Sequence, residues 1–174
     1  MSKTLGNTID PIEVVKEYGT DALRYFVLRE VNPFEDSPFT MEKFKEAYNA
    51  HLANGLGNLV SRVMKMAETN GIHFVSEEKK RNEEFIKFYE TYEIDKVCDG
   101  IWNTIQSADK YIQENEPFKT VKIDEKKGRE QIEYLLGEVL HIGELLTPIL
   151  PETSEKIRKA IKENKIASPL FMRK

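Results

Sequence analysis

The sequence predicts a mainly all-α chain, a bundle of about five long amphipathic helices preceded by a small module. Two observations carry that prediction. Apolar residues recur three and four positions apart through several long stretches, the period of a helix with one buried face. Those stretches are punctuated by helix starts and stops, with Asp, Thr or Pro at beginnings and Gly or Pro at ends. The 174 residues suit one domain with an appendage, and the expected division is 1–38 and 39–174.

The elements follow in order. Asp10 before Pro11 is a helix start, an N-cap with proline at the first helical position. Helical spacing then runs to about Glu30 through Val14, Val15, Tyr18, Ala22, Leu23, Phe26 and Val27. Gly19 is expected to split it, with Thr20 capping the second half. Residues 32–38 carry Pro33 and Pro38 and read as a loop. Thr40 caps the longest pattern, in which Phe44, Ala47, Leu52, Leu56, Leu59, Val63 and Ala67 lead to the stop at Asn70-Gly71. Ile72 to Val75 reads as a short extended segment. A further helix is expected from Ser76 to about Tyr92, and another from Ile94 to Glu114, which Pro117 interrupts. Asp124 caps a helix running through Leu135, Val139 and Leu146 until Pro148, and the last begins near Pro151.

Bulk composition narrows the function. The net charge is −4, so any nucleic-acid contact must use a local patch. Cys98 is the single cysteine, and His51, His73 and His141 have no metal-ligand spacing, so neither a disulfide nor a metal site is expected. Cys98 lacks an evident base partner and reads as an inert buried thiol. The carboxylates form no acid–base pair. No apolar run is long enough to span a bilayer and no signal peptide is evident, which makes the cytoplasm the default expectation and excludes a membrane partner.

Three groups of residues invite chemistry. At the start, Lys3 lies between Ser2 and Thr4 with Gly6 following. That is the make-up of a phosphate-gripping loop or of an ordinary terminus. In the long helix, Asn54, Asn58 and Arg62 fall at i, i+4 and i+8, one stripe. Asparagine weakens a helix interior, and Gly55 and Gly57 cost it about 1 kcal/mol each relative to alanine. Exposed amides and a guanidinium suit the reading of base edges. A glycine-mediated helix crossing, with Asn58 and Arg62 satisfying a neighbouring helix end, suits them equally. Third, Glu116-Pro117-Phe118-Lys119 with Lys122 puts an aromatic between a helix break and two lysines. Phe118 either stacks on an unpaired base or folds back into the core as a staple. Trp102, beside Ile101 in an apolar pattern, reads as core.

Taken together, these segments resemble a known family. Ser2-Lys3-Thr4-Leu5-Gly6-Asn7, Ile9-Asp10-Pro11 and Tyr18-Gly19-Thr20-Asp21-Ala22-Leu23-Arg24-Tyr25 resemble the lysine-signature loop and following helices of class I aminoacyl-tRNA synthetases. That stretch suits the leucyl, isoleucyl and valyl enzymes too. The segment from Tyr48 to Arg62 is more specific and is similar to the start of the anticodon-binding bundle of methionyl-tRNA synthetases. The likeness continues through Asn115-Glu116-Pro117-Phe118 and Leu145-Leu146-Thr147-Pro148-Ile149-Leu150-Pro151, in collinear order. His141-Ile142-Gly143-Glu144 imitates another synthetase signature, but it lies in a late helix without the final histidine and reads as coincidence.

The resemblance implies roles. Lys3 matches the second lysine of the loop that stabilises the transition state as methionine attacks ATP, with Ser2 and Thr4 beside it. The first lysine is absent. Asn58 and Arg62 match an Asn and an Arg that contact the anticodon. Phe118 stands where the family has a tryptophan that stacks on it, a smaller face without an indole donor. Asn54 and Lys119 are secondary candidates. The methionine pocket, the first ATP signature and a zinc-bearing insertion would precede Met1. The expectation is therefore a C-terminal portion of such an enzyme, with a stem-contact module in 1–38. It would bind methionine-specific tRNA but neither DNA nor a cofactor, and ATP and Mg²⁺ would belong to the full enzyme. Alone it should show no methionine-dependent ATP–pyrophosphate exchange. A free-standing synthetase-derived tRNA-binding protein, a helical protein-interaction module, and a synthetase for another amino acid are the competing readings.

Overall fold

The computed structural model describes residues 9–31, 39–74, 83–166 and 168–174. Ser2, Lys3 and Thr4, the loop at 32–38 and the helix start at Ser76 lie outside the described residues. Helix α1 (Pro11–Tyr18) begins as its sequence predicts, with the Asp10 carboxylate accepting the Ile12 N–H at 2.8 Å. Helix α2 (Thr20–Arg29) departs in one detail. Thr20 is its first helical residue, and Gly19 occupies the cap position at φ 89°, a left-handed backbone that glycine adopts without a Cβ penalty.

The long pattern after Thr40 is one rod with a change of gauge. Helix α3 (Met41–Ala47) is capped by the Thr40 hydroxyl, which accepts from the Lys43 N–H at 3.3 Å. A π-helical segment (Tyr48–Gly57) follows, then helix α4 (Asn58–Thr69), so the expected uninterrupted α-helix is corrected here. The Asn58 N–H reaches back five residues to the Ala53 carbonyl, the mark of the wider turn. Asn and Gly are weak α-formers, so this stretch concedes the normal register most easily. Asn70 and Gly71 (φ 59°) end the rod. Residues 72–74 are irregular rather than extended, and no strand occurs among the described residues.

Helix α5 (Glu83–Glu90) leads into α6 (Ile94–Asn115). Glu116 then takes a left-handed turn, and Pro117 starts a short helix, α7 (Pro117–Ile123), that the sequence reading did not foresee. Proline at N1 both ends one helix and begins the next. Asp124 caps α8 (Glu125–Leu145), accepting the Lys127 N–H at 3.0 Å, and α9 (Pro151–Glu163) follows. Helix α8 packs against α4, α6, α7 and α9. Leu52, Leu56, Leu59, Val63, Ile101, Ile132, Leu135 and Val139 fill the interior between these helices.

Helix α2 is fastened to this bundle by polar side chains. One Asp21 carboxylate oxygen accepts both the N–H and the hydroxyl of Thr153, each at 2.7 Å, capping the first turn of α9 from another element. Arg24 donates to the carbonyls of Ile149 (2.8 Å) and Pro148 (3.0 Å) in the α8–α9 turn. Trp102 and Cys98 are buried in the core, as their patterns predict, and burial pushes the Cys98 thiol up to about 12. His141 is a half-buried residue of α8.

Candidate nucleic-acid interface

Helices α4, α6 and α7 enclose a groove of about 640 Å³. Met66, Ile112 and Val121 give it an apolar lining, and Arg62, Lys65, Lys122 and Phe118 stand around it. The left-handed turn at Glu116 is what aims α7 here. It buries Pro117 and leaves Phe118 42% exposed at the rim. The staple reading of Phe118 is therefore set aside in favour of an accessible aromatic face. Across the groove, Arg62 is held by α6, its Nη1 donating to Asp109 Oδ1 at 2.7 Å. Arg62 and Phe118, 56 positions apart in the sequence, thus share one concave surface of mixed apolar and cationic character.

The expected stripe of Asn54, Asn58 and Arg62 is divided. Asn54 and Asn58 are exposed and face a second hollow of about 380 Å³, lined also by Gly57, Pro169, Phe171 and Arg173. Ser61 borders both hollows. The chain's last residues form one wall of the second. The Tyr48 hydroxyl donates to the Met172 carbonyl (2.9 Å), and Asn49 exchanges two hydrogen bonds with the Lys174 backbone (2.8 and 2.9 Å). A Cβ on Gly57 would lie 3.7 Å from the Phe171 backbone and 3.0 Å from the Leu52 carbonyl. The close approach that the glycines suggested is thus to this tail and to the helix's own wide turn.

Lys119 is not part of either hollow. Its ammonium pairs with Glu116 at 2.6 Å and sits 5.8 Å from the Phe118 ring centre, while Lys122 faces the groove. Lys65, Asp109 and Arg173 complete the surface and escaped the sequence reading. Lys65 follows Arg62 by three positions, a visible signal, whereas nothing local marks Asp109 or Arg173. Among the described residues no cluster of His, Cys, Asp or Glu is arranged to hold a metal ion, and no helix is long and apolar enough to cross a membrane.

A polar knot joins α2, the π segment and α6 away from the grooves. Arg29 Nη1 donates to the Tyr25 hydroxyl (2.6 Å) and to His51 Nδ1 (3.2 Å), its Nε and Nη2 reach Asp99, and its guanidinium lies 5.1 Å over Trp102. The Tyr25 hydroxyl also faces His51 Nδ1, with the Glu30 carboxylate 3.6 Å away. Burial, then the Arg29 charge, lowers the His51 pKa.

Comparison with known proteins gives the family. Residues 64–172 match the family model described as the anticodon binding domain of methionyl tRNA ligase, and residues 1–64 match that for class I tRNA synthetases (M). The methionine–tRNA ligase of Clostridium acetobutylicum is 37% identical over 91% of this chain, and that of Synechocystis sp. 32% over 90%. The chain spans only 27% and 32% of those two proteins. The crystal structure of Mycobacterium tuberculosis methionyl-tRNA synthetase bound by methionyl-adenylate superposes with a TM-score of 0.82 at 24% identity, over 99% of this chain and 40% of that one, a likeness of fold. The chain belongs to the methionyl-tRNA synthetase family and carries that family's anticodon-binding domain.

Proposed function

We propose that the groove between α4 and α7, with the neighbouring hollow at Asn58, reads the anticodon of methionine-specific tRNA for the ligation of methionine by the full enzyme. The observation that carries this reading is the meeting of Arg62 and Phe118 on one concave surface, with exposed Asn58 one helical turn from Arg62. Single-stranded loops are recognised by splayed bases that stack on aromatic faces and present free edges to side-chain donors and acceptors. Phe118 offers the face, Arg62 and Asn58 offer the donors and acceptors, and Lys65 and Lys122 offer charge to the adjoining phosphates. Asn54 extends the polar edge, and Lys119 supports Phe118 from outside the groove. In the full enzyme Lys3, with Ser2 and Thr4, serves the activation step with ATP and Mg²⁺, and no described residue is assigned to hold either. Residues 1–38 are assigned to the stem-contact side and 39–174 to the bundle.

The test is binding of a methionine-anticodon stem-loop RNA, against the same hairpin with its anticodon bases exchanged. The unaltered chain should prefer the first. Arg62→Ala should reduce that preference by about 1–3 kcal/mol, the worth of a well-formed side-chain contact to a base edge. Phe118→Ala should weaken binding of the matched hairpin by about 1–3 kcal/mol through lost stacking. No preference by the unaltered chain would sink the proposal. In the full enzyme, Arg62→Ala should depress tRNA charging and spare amino-acid activation, whereas equal loss of both would make Arg62 structural.

A further inference from the structure

We infer that Asp109 is the residue that turns Arg62 from a general phosphate anchor into a reader of base edges. The inference rests on the anticodon-reading role proposed for Arg62. Asp109 lies on α6, across the bundle surface from α4, and its Oδ1 accepts Arg62 Nη1 at 2.7 Å. The side chains are 36% and 28% exposed, so water reaches the pair and the groove remains open to it.

Two consequences follow from that contact. The first is orientation. A guanidinium carries five N–H donors in a rigid planar fork, and holding one of them restricts the directions in which the others point. Among the described residues no other acceptor takes Arg62 Nε or Nη2, so the remaining donors stay available to whatever enters the groove that Arg62 lines. The second is charge. A carboxylate 2.7 Å away offsets the positive charge that would otherwise attract any phosphate. Arg62 is left with directed hydrogen bonds and little net attraction for a polyanion. Lys65 and Lys122, on the same groove, keep the general role. The pair is partly buried, so the melting temperature of the variants below is what separates positioning from scaffolding.

Asp109→Asn keeps the shape and one acceptor oxygen but removes the charge. The 174-residue chain is titrated with the matched and the anticodon-exchanged hairpins over a salt series. For Asp109→Asn the expected result is about a tenfold loss of preference for the matched hairpin. It comes mainly from tighter binding of the exchanged one, with a steeper salt dependence and an unchanged melting temperature. Asp109→Glu, which keeps a carboxylate on a longer arm, should recover most of the preference. Arg62→Ala,Asp109→Asn should discriminate no worse than Arg62→Ala alone, because the carboxylate acts only through its partner. If Arg62→Ala loses the preference while Asp109→Asn retains it, this inference is overturned and the anticodon-reading proposal stands. Weaker binding of both hairpins by Asp109→Asn, together with a lowered melting temperature, would also overturn it by making Asp109 a structural residue. Absence of any preference in the unaltered chain would defeat the anticodon-reading proposal first, and this inference with it.

Discussion

Folding disfavours the protonated form of His51. Its Nδ1 faces the Tyr25 hydroxyl and the Arg29 guanidinium, with the Glu30 carboxylate 3.6 Å away. Asp99 and Glu46 lie within electrostatic reach and favour the protonated form, but burial and Arg29 outweigh these carboxylates and the folded-state pKa is lowered. The sign follows from proton counting. Below the unfolded value of about 6.5 the unfolded chain binds a proton that the folded chain resists, so unfolding becomes easier as pH falls. This part of the stability is complete above about pH 6.5 and is lost as pH falls through the folded pKa. His51→Gln, neutral throughout, should remove that component. Urea unfolding of both proteins across mildly acidic pH should show the unaltered chain losing more stability than the variant. A stability difference that stays constant with pH would contradict the lowered His51 pKa.

At the scale of elements, α7 is set by a glycine on α8. An ideal Cβ on Gly128 would stand 2.2 Å from Val121 Cα and 2.4 Å from Val121 N, so the two helices touch backbone to backbone. Gly128→Ala must push α7 away, and overpacking of this kind costs about 1–3 kcal/mol. Because α7 carries Phe118, Val121 and Lys122, the same substitution should loosen the groove and reduce anticodon preference. Gly137→Ala on the same helix is the control: its Cβ would meet only the Phe74 ring, at 3.4 Å. That change should be near neutral, or stabilising by up to about 1 kcal/mol from helix propensity. Equal melting temperatures for the two variants would show that the crossing is not tight.

These elements also mark how far the sequence could be read. Caps at Asp10, Thr40 and Asp124 were legible because cap and capped N–H lie two or three residues apart. The π segment was hidden, because over ten residues the apolar spacing of a wide turn differs little from that of an α-helix. The role of Pro117 was half legible. Proline announces a break, but the left-handed Glu116 that launches a new helix has no signature of its own. Asp21 with Thr153 and Arg62 with Asp109 are contacts across 132 and 47 positions, and only packing brings them together. The Asn58–Arg62 spacing was legible by itself and family likeness suggested a role for it, while its division between two hollows came from the fold.

For the whole molecule the governing fact is an excess of acid. The chain carries 30 acidic and 26 basic residues, so a polyanion gains nothing from its overall field. On the proposed reading, binding comes from the groove, where Arg62 is matched by Asp109 and two lysines carry the unspecific attraction. Lys65 also meets Glu68 at 3.2 Å, an exposed pair that yields readily to a phosphate. Each phosphate neutralised on a single strand contributes about −0.7 to the slope of log affinity against log salt, so the expected slope is about −1.4. Fluorescence anisotropy of a labelled methionine-anticodon hairpin over a potassium chloride series measures it. A slope beyond about −4 would mean that more than five phosphates are held, far more than this groove can meet, and would move the interface elsewhere. Replacing Lys65 and Lys122 together by alanine should flatten the slope and weaken both hairpins alike, leaving their ratio intact. Arg62→Ala should do the reverse, reducing the ratio with little effect on the slope, because Arg62 is assigned to a base edge and the lysines to the phosphates.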